Sequence, residues 1–184
     1  MYNEPIVISN FITEDEVEHI KQKALGNLTS STFGPDLESD QTIRNCKSVS
    51  LYSSDPVVKR ITEKCASHAH MTFYNCEDLH VVHYETGGYY KEHYDTNFES
   101  MEGQRIYTFI LALNDDYEGG ETEFPNLNNK FKLKVGDAIF FQNLDNHGSF
   151  TSKALHGGRP VKSGEKWICN LWIRDTFKLP FPGS

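Results

Sequence analysis

No stretch of this sequence approaches the ~20 consecutive apolar residues of a membrane-spanning helix. Its opening, MYNEPIVISNF, lacks the basic start and apolar run of a secretory signal. Together these absences lead to the expectation of a cytoplasmic protein with no membrane partner. Basic residues are in the minority: 18 Lys and Arg against 26 Asp and Glu leave a formal net charge of −8. That is the wrong sign for gripping a phosphate backbone, so nucleic acid is not an expected partner. The four cysteines, Cys46, Cys65, Cys76 and Cys169, form no CxxC pair. Neither a zinc knuckle nor a dense disulfide framework is expected, and the thiols are read as reduced packing groups. Repeats, low-complexity tracts and Pro/Gly/Ser linkers are missing as well. The 184 residues are therefore read as one domain, 1–184, with one active site. Oligomeric state has no signature in the sequence.

What is present is sheet-forming. Twelve per cent of the residues are aromatic, and Val, Ile and Leu fall in short runs. Two helices come first. Over residues 13–25, Thr13 and Glu16 make a capping box, Ile12 can staple to Val17, and Gly26 can close the end. A second begins at Asp55 as N-cap, with Pro56 in its first turn and Val57, Val58, Ile61 and Cys65 directed at a core. Between them, residues 27–41 are rich in Ser, Thr, Asp and Gly and read as a surface loop, a variable one or a substrate lid. From Leu79 onward the pattern changes to strand-like runs, LHVVHY, YYKEHYD, RIYTFILALN, NKFKLKV, DAIFFQN and EKWICNLWIR, separated by turn clusters such as ETGG and NLNN. The expectation is a helical and strand support over 1–78 and a β catalytic core over 79–175.

Chemistry concentrates in that second half. In YYKEHYDTN, strand alternation places Lys91, His93 and Asp95 on one face and Tyr90, Glu92 and Tyr94 on the other. An imidazole and a carboxylate two residues apart, completed by a distant histidine, are the parts of the 2-His-1-carboxylate triad of non-heme iron. HxD alone arises often by chance and then marks only a solvated pair. Among the eight histidines, His156 is the best third ligand, because a strand-like stretch leads into it and an apolar strand follows. His80 and His83 read as packing residues, and His147, in NLDNHGS, as solvent-exposed. In the last strand, Lys166, Ile168, Asn170 and Trp172 share one face, while Trp167, Cys169, Leu171 and Ile173 share the other. A lysine heading so apolar a strand either snorkels to the rim or meets an anion inside. Ten residues beyond His156 and across the Gly164 turn, Lys166 can lie on a strand antiparallel to the one carrying that histidine.

From about Pro5 to Arg174 the chain resembles the prolyl 4-hydroxylase-like Fe(II)/2-oxoglutarate oxygenases. The resemblance rests on VVHYETGGYYKEHYD, RIYTFILALNDDYEGGETEFP, FKLKVGDAIFFQN and LHGGRPVKSGEKWICNLWIR taken together. It implies a mainly β fold, a double-stranded β-helix (jelly roll) with N-terminal helices packed on one sheet. It implies that His93, Asp95 and His156 ligate iron and that Lys166 pairs with the distal 2-oxoglutarate carboxylate. By the same match Tyr84 helps hold that carboxylate, Thr122 lines its pocket and Trp172 stands near the co-substrate. Packing readings of these three remain open: a core-edge tyrosine, a turn threonine and a core tryptophan are common. Arg105 and the Gly119 and Gly120 pair also match, and are explained equally by a strand-end arginine and a tight turn. Residues 27–41 and 96–104 become candidate loops over a peptide groove.

The activity so implied is hydroxylation of a C–H bond coupled to oxidative decarboxylation of 2-oxoglutarate to succinate and CO₂. Fe(II), O₂ and 2-oxoglutarate are needed, with ascorbate as reductant. The expected partner is a proline-containing peptide or protein; another side chain or a free amino acid is the alternative substrate. Asp95 favours hydroxylation over halogenation, since the related halogenases lack a carboxylate there, and a lysine at 166 fits the prolyl hydroxylase branch better than branches with arginine. Two rivals of other classes are a non-catalytic jelly-roll binding module that retains a metal and a zinc hydrolase, in which Lys166 has no evident use.

Overall fold

Both helices start where their caps dictate. The computed structural model describes residues 1–30, 43–96, 98 and 100–177. After a short strand β1 (Ile6–Ile8), helix α1 (Glu14–Ala24) begins at Thr13, whose hydroxyl accepts from Glu16 N while the Glu16 carboxylate accepts from Thr13 N. Gly26 follows the helix with φ +84°, a left-handed conformation that glycine enters without strain. Helix α2 (Pro56–His68) is capped by Asp55, which accepts from Val57 N and Val58 N. Asp55 also meets His19 Nε2 at 2.9 Å and Lys23 Nζ at 3.1 Å, tying the two helices together.

Strands fill the rest of the chain. Before and around α2 come β2 (Thr29–Ser30), β3 (Arg44–Asn45) and β4 (Lys47–Leu51). Then follow β5 (Leu79–Tyr84), β6 (Tyr89–His93), β7 (Arg105–Ala112), β8 (Glu118–Gly119), β9 (Thr122–Phe124), β10 (Asn129–Phe131), β11 (Ala138–Gln142), β12 (His156–Gly158), β13 (Val161–Ser163) and β14 (Lys166–Arg174). A seven-stranded sheet runs β1-β11-β7-β14-β5-β4-β2, and a five-stranded sheet runs β10-β9-β12-β6-β3. Successive core strands switch sheets: β5 large, β6 small, β7 large, β9 and β10 small, β11 large, β12 small, β14 large. That alternation winds the chain as a jelly roll. Residues 1–78 contribute more than helices, since β1, β2 and β4 extend the large sheet and β3 edges the small one.

The strand alternation of the large sheet divides its side chains between two environments. One buried cluster joins Val17 and Ile20 of α1 and Val58, Ile61 and Cys65 of α2 to Val81, Phe109, Leu111, Cys169 and Leu171 of the sheet. The opposite face supplies Val82, Tyr84, Ile110 and Ile168 to a second cluster with Phe124 and Val161. A cleft opens between the sheets beside this second cluster.

Several sequence expectations are corrected here. β6 ends at His93, so Asp95 lies two residues past the strand rather than on it. A 3₁₀ turn over Ser152–Ala154, not a strand, leads into His156. Lys166 and His156 do not lie on neighbouring antiparallel strands: β12 is in the small sheet and β14 in the large one, so the two residues face each other across the cleft. Residues 31–42, covering most of the 27–41 segment, lie outside the described residues, as do Asn97 and Glu99 of the 96–104 segment and the terminal LPFPGS. No helix among the described residues is long and apolar enough to cross a membrane.

Candidate active site

A cleft of about 370 Å³, counting the part open to solvent, lies between the sheets. The small sheet lines it with Tyr90, His93, Thr122, His156 and the backbone of Gly157 and Gly158; the large sheet adds Tyr84, Thr108, Ile110, Lys166, Ile168 and Asn170; Asp95 closes the set.

At one end His93, Asp95 and His156 converge. Each offers a ligand atom, and these atoms lie within 4.8 Å of one another. His93 Nε2 is 3.5 Å from Asp95 Oδ1, and His156 Nε2 is 3.7 Å from Asp95 Oδ2. The opposite ring nitrogens decide what these contacts are. His93 Nδ1 lies 2.8 Å from the Lys91 carbonyl oxygen, and His156 Nδ1 lies 3.0 Å from the Ala154 carbonyl oxygen. A carbonyl can only accept, so in each neutral ring Nδ1 carries the proton and Nε2 presents a lone pair. Two lone pairs and a carboxylate turned on one point repel each other unless a cation sits between them. The donor set therefore fits a divalent transition metal. Protonation states agree. Burial pushes His156 down to about 4 against the pull of Asp95, leaving a neutral imidazole at pH 7.

The strand that carries His93 is not regular. His156 pairs with His93 and Gly158 with Tyr90, so two steps along β12 match three along β6. This β-bulge breaks the period-2 alternation and turns Tyr90 to the same side as His93, contrary to the faces expected from the sequence. The two rings stack with centroids 3.7 Å apart. Gly157 sits opposite the bulge, where a Cβ would come within 3.1 Å of Glu92 N and Tyr90 O. Both neighbours are backbone atoms, so glycine suits strands that approach this closely.

The other end is marked by Lys166, 4% exposed, in register with Tyr84 on β5. Its ammonium lies 5.3 Å from the Tyr84 ring centroid and makes no ion pair with a carboxylate among the described residues. Burial lowers its pKa to about 8, opposed by the charge of Glu121. The lysine has not snorkelled; it is buried beside the cleft with its charge unneutralised. Thr122 lines the same region, and Gly120, at φ +67°, leaves room for the lysine stem, since a Cβ there would lie 3.2 Å from Lys166 Cδ. Burial raises the Tyr84 phenol above its ordinary range, so it stays protonated and able to donate.

Six of the seven residues singled out from the sequence thus line one cleft; Trp172 does not. It shares the face of β14 with Asn170 but stands beyond the lining, under the Arg105 guanidinium carbon at 3.9 Å from its ring. Arg105 reaches it because Glu77 fixes the guanidinium by two hydrogen bonds of 2.6 and 2.8 Å. His83 stacks on Trp167 at 4.2 Å, His80 packs 5.5 Å from Trp172, and His147 is exposed, each as expected. Thr108, Ile110 and Asn170 were missed. Their signal was available, because a threonine and an asparagine interrupt otherwise apolar strand faces in RIYTFILA and KWICNLWIR.

Comparison with known proteins agrees with this geometry. The family described as the 2OG-Fe(II) oxygenase superfamily matches over residues 79–174. A protein of Acanthamoeba polyphaga mimivirus, assigned by its name to the prolyl 4-hydroxylases, is 40% identical over 184 residues, which cover 95% of this chain and 75% of the viral one. Prolyl 4-hydroxylase 13 of Arabidopsis thaliana is 34% identical over 91% of this chain and 70% of its own. The crystal structure of a viral collagen prolyl hydroxylase from Paramecium Bursaria Chlorella virus-1, in its 2OG complex, superimposes with a TM-score of 0.79 at 30% identity, covering 95% of this chain and 97% of that one.

Proposed function

The chain belongs to the 2OG-Fe(II) oxygenase superfamily, and from that premise we propose that it hydroxylates a prolyl residue of a peptide or protein, consuming O₂ and 2-oxoglutarate and releasing succinate and CO₂. One observation carries the reading. Two imidazoles pinned through Nδ1 and one carboxylate turn their free donor atoms on a single point, and a buried, unneutralised lysine stands at the far end of the same cleft.

His93, Asp95 and His156 hold Fe(II), which when bound supplies the redox chemistry that activates O₂ and that no side chain provides. Lys166 receives the distal carboxylate of 2-oxoglutarate, with Tyr84 donating its hydroxyl and Thr122 bounding the pocket. The buried charge then acquires the partner that its desolvation calls for. Ile110 and Ile168 keep water from the cleft walls. Trp172 bounds the site at its rim rather than inside. Ascorbate would serve as the external reductant that keeps the metal ferrous. Residues 1–78 brace the 79–175 core, with α1 and α2 packed on the large sheet, so the chain works as one unit. The prolyl target follows from the mimivirus and Arabidopsis relatives, whose names specify that reaction.

The test is succinate formation by purified protein with Fe(II), 2-oxoglutarate, ascorbate and O₂, with and without proline-rich peptides. Peptide-stimulated succinate, a gain of one oxygen on proline, and loss of both in Asp95→Ala are the expected results. Succinate that no peptide stimulates would remove the prolyl assignment and leave the oxygenase. No succinate from folded, iron-loaded protein would instead favour a metal-retaining binding module.

A further inference from the structure

Asp95 is held from behind, on the side away from the point that the two imidazoles face. Thr108 Oγ1 on β7 lies 2.7 Å from Asp95 Oδ2, and Asn143 Nδ2, just past β11, lies 2.8 Å from the same Thr108 oxygen. Thr108 and Asn143 are each 1% exposed. A carboxylate only accepts, so the Thr108 proton points at Asp95; the hydroxyl lone pair must then take a proton from elsewhere, and Asn143 supplies it. The chain Asn143→Thr108→Asp95 therefore runs in one direction, and a reversed amide would face Thr108 with a second acceptor. Asn143 keeps this orientation although its Oδ1 is left buried with no hydrogen-bond partner among the described residues. An unsatisfied buried amide oxygen costs about 1–3 kcal/mol, a liability that an apolar side chain of similar shape would avoid.

We infer that Thr108, oriented by Asn143, is a positioning residue that restricts Asp95 to one ligating oxygen, Oδ1. This rests on the reading of Asp95 as an Fe(II) ligand. Oδ2 takes the Thr108 proton and also stands 3.7 Å from His156 Nε2, whereas Oδ1, 3.5 Å from His93 Nε2, takes no proton from Thr108 and is the oxygen left for a metal. Released from Thr108, the carboxylate is free to present both oxygens, and a bidentate aspartate closes a coordination position that a facial triad must leave open. The three residues come from the β6–β7 connection, from β7 and from the end of β11. The orientation of the ligand is thus built into the large sheet, and not only into the HxD segment.

The experiment uses Co(II) in the full chain under anaerobic conditions, reading affinity by titration and ligand geometry by the d–d absorption spectrum. Thr108→Val, which keeps the shape and removes the hydroxyl, is expected to weaken Co(II) binding by roughly 10- to 100-fold and to alter the d–d bands. Thr108→Ser, which keeps the hydroxyl, is expected to restore both. Should Thr108→Val fail to fold by circular dichroism, Asn143→Ala takes its place: weakened binding with altered bands supports the inference, and wild-type affinity overturns it. Asp95→Ala separates the two levels. If it abolishes Co(II) binding while Thr108→Val binds like wild type, the positioning role is wrong and the ligand assignment stands. If Asp95→Ala itself binds Co(II) like wild type, the ligand assignment fails and the positioning role falls with it.

Discussion

The two faces of strand β14 sit a few ångströms apart and obey opposite rules. Trp167, Cys169, Leu171 and Ile173 point into the cluster shared with the helices, where every group is apolar or packed. Lys166, Ile168 and Asn170 point into the cleft, where a charge is buried without a counter-ion and the Asn170 amide oxygen lacks a hydrogen-bond partner among the described residues. A strand forces this division, because successive side chains leave opposite sides of the sheet. One face can therefore be selected for stability while the other carries groups that weaken the fold. A residue one position along changes sides, and a residue two positions along returns to the same side, although Trp172, near the strand's end, stands beyond the cleft.

Lys166→Met is the sharpest way to break the contrast, since it makes the cleft face resemble the core face. Loss of the ammonium is expected to weaken 2-oxoglutarate binding by roughly 30-fold or more, read by calorimetry. The same change is expected to raise the melting temperature, because it removes a buried charge. The sign follows from proton counting. Lys166 titrates near 8 in the folded protein against an ordinary 10.5, so the unfolded chain binds more protons between those values and stability gains from this group as pH climbs through them. On the proposed role of Lys166, co-substrate binding moves the other way: it would need the protonated lysine, so its Kd is expected to stay flat below pH 8 and to rise above it. Lys166→Arg, always charged, is expected to flatten that profile. A melting temperature that falls in Lys166→Met would show the lysine to be a structural partner and erase the distinction between the faces.

Leu171→Ala tests the other side. Leu171 is fully buried among the helices and sheet, so truncation is expected to cost about 2–5 kcal/mol in denaturant unfolding. The KM for 2-oxoglutarate of the protein that remains folded should be unchanged; a shift in KM would mean that the faces are mechanically coupled. The smallest effect is expected farthest from the cleft. Thr13→Ala removes the α1 cap and should cost about 1 kcal/mol with no change in turnover.

The same division explains what could be read from the chain. Caps at Thr13 and Asp55, the strand runs from Leu79, and the HxD segment were legible because their partners lie within four residues or repeat with a fixed period. The histidine at 156 and the lysine at 166 were found through the motifs around them. Register and side-chain orientation were not legible. The bulge in β6 that swings Tyr90 beside His93 exists only when β12 is paired to it. The placement of Lys166 opposite His156, rather than beside it, follows from β14 joining β5 and β7. Thr108 and Asn143 stand 13 residues or more from the groups they orient, so the threonine that interrupts an apolar strand face was visible in the sequence but the group it orients was not. Sequence by itself determined the elements and the chemistry they carry, because both depend on near neighbours and residue type. Only the tertiary structure decided which nitrogen of each histidine faces the site, that Thr108 meets Asp95, and that Trp172 stays outside the cleft, because those depend on hydrogen bonds and packing between strands that meet only when the sheets close.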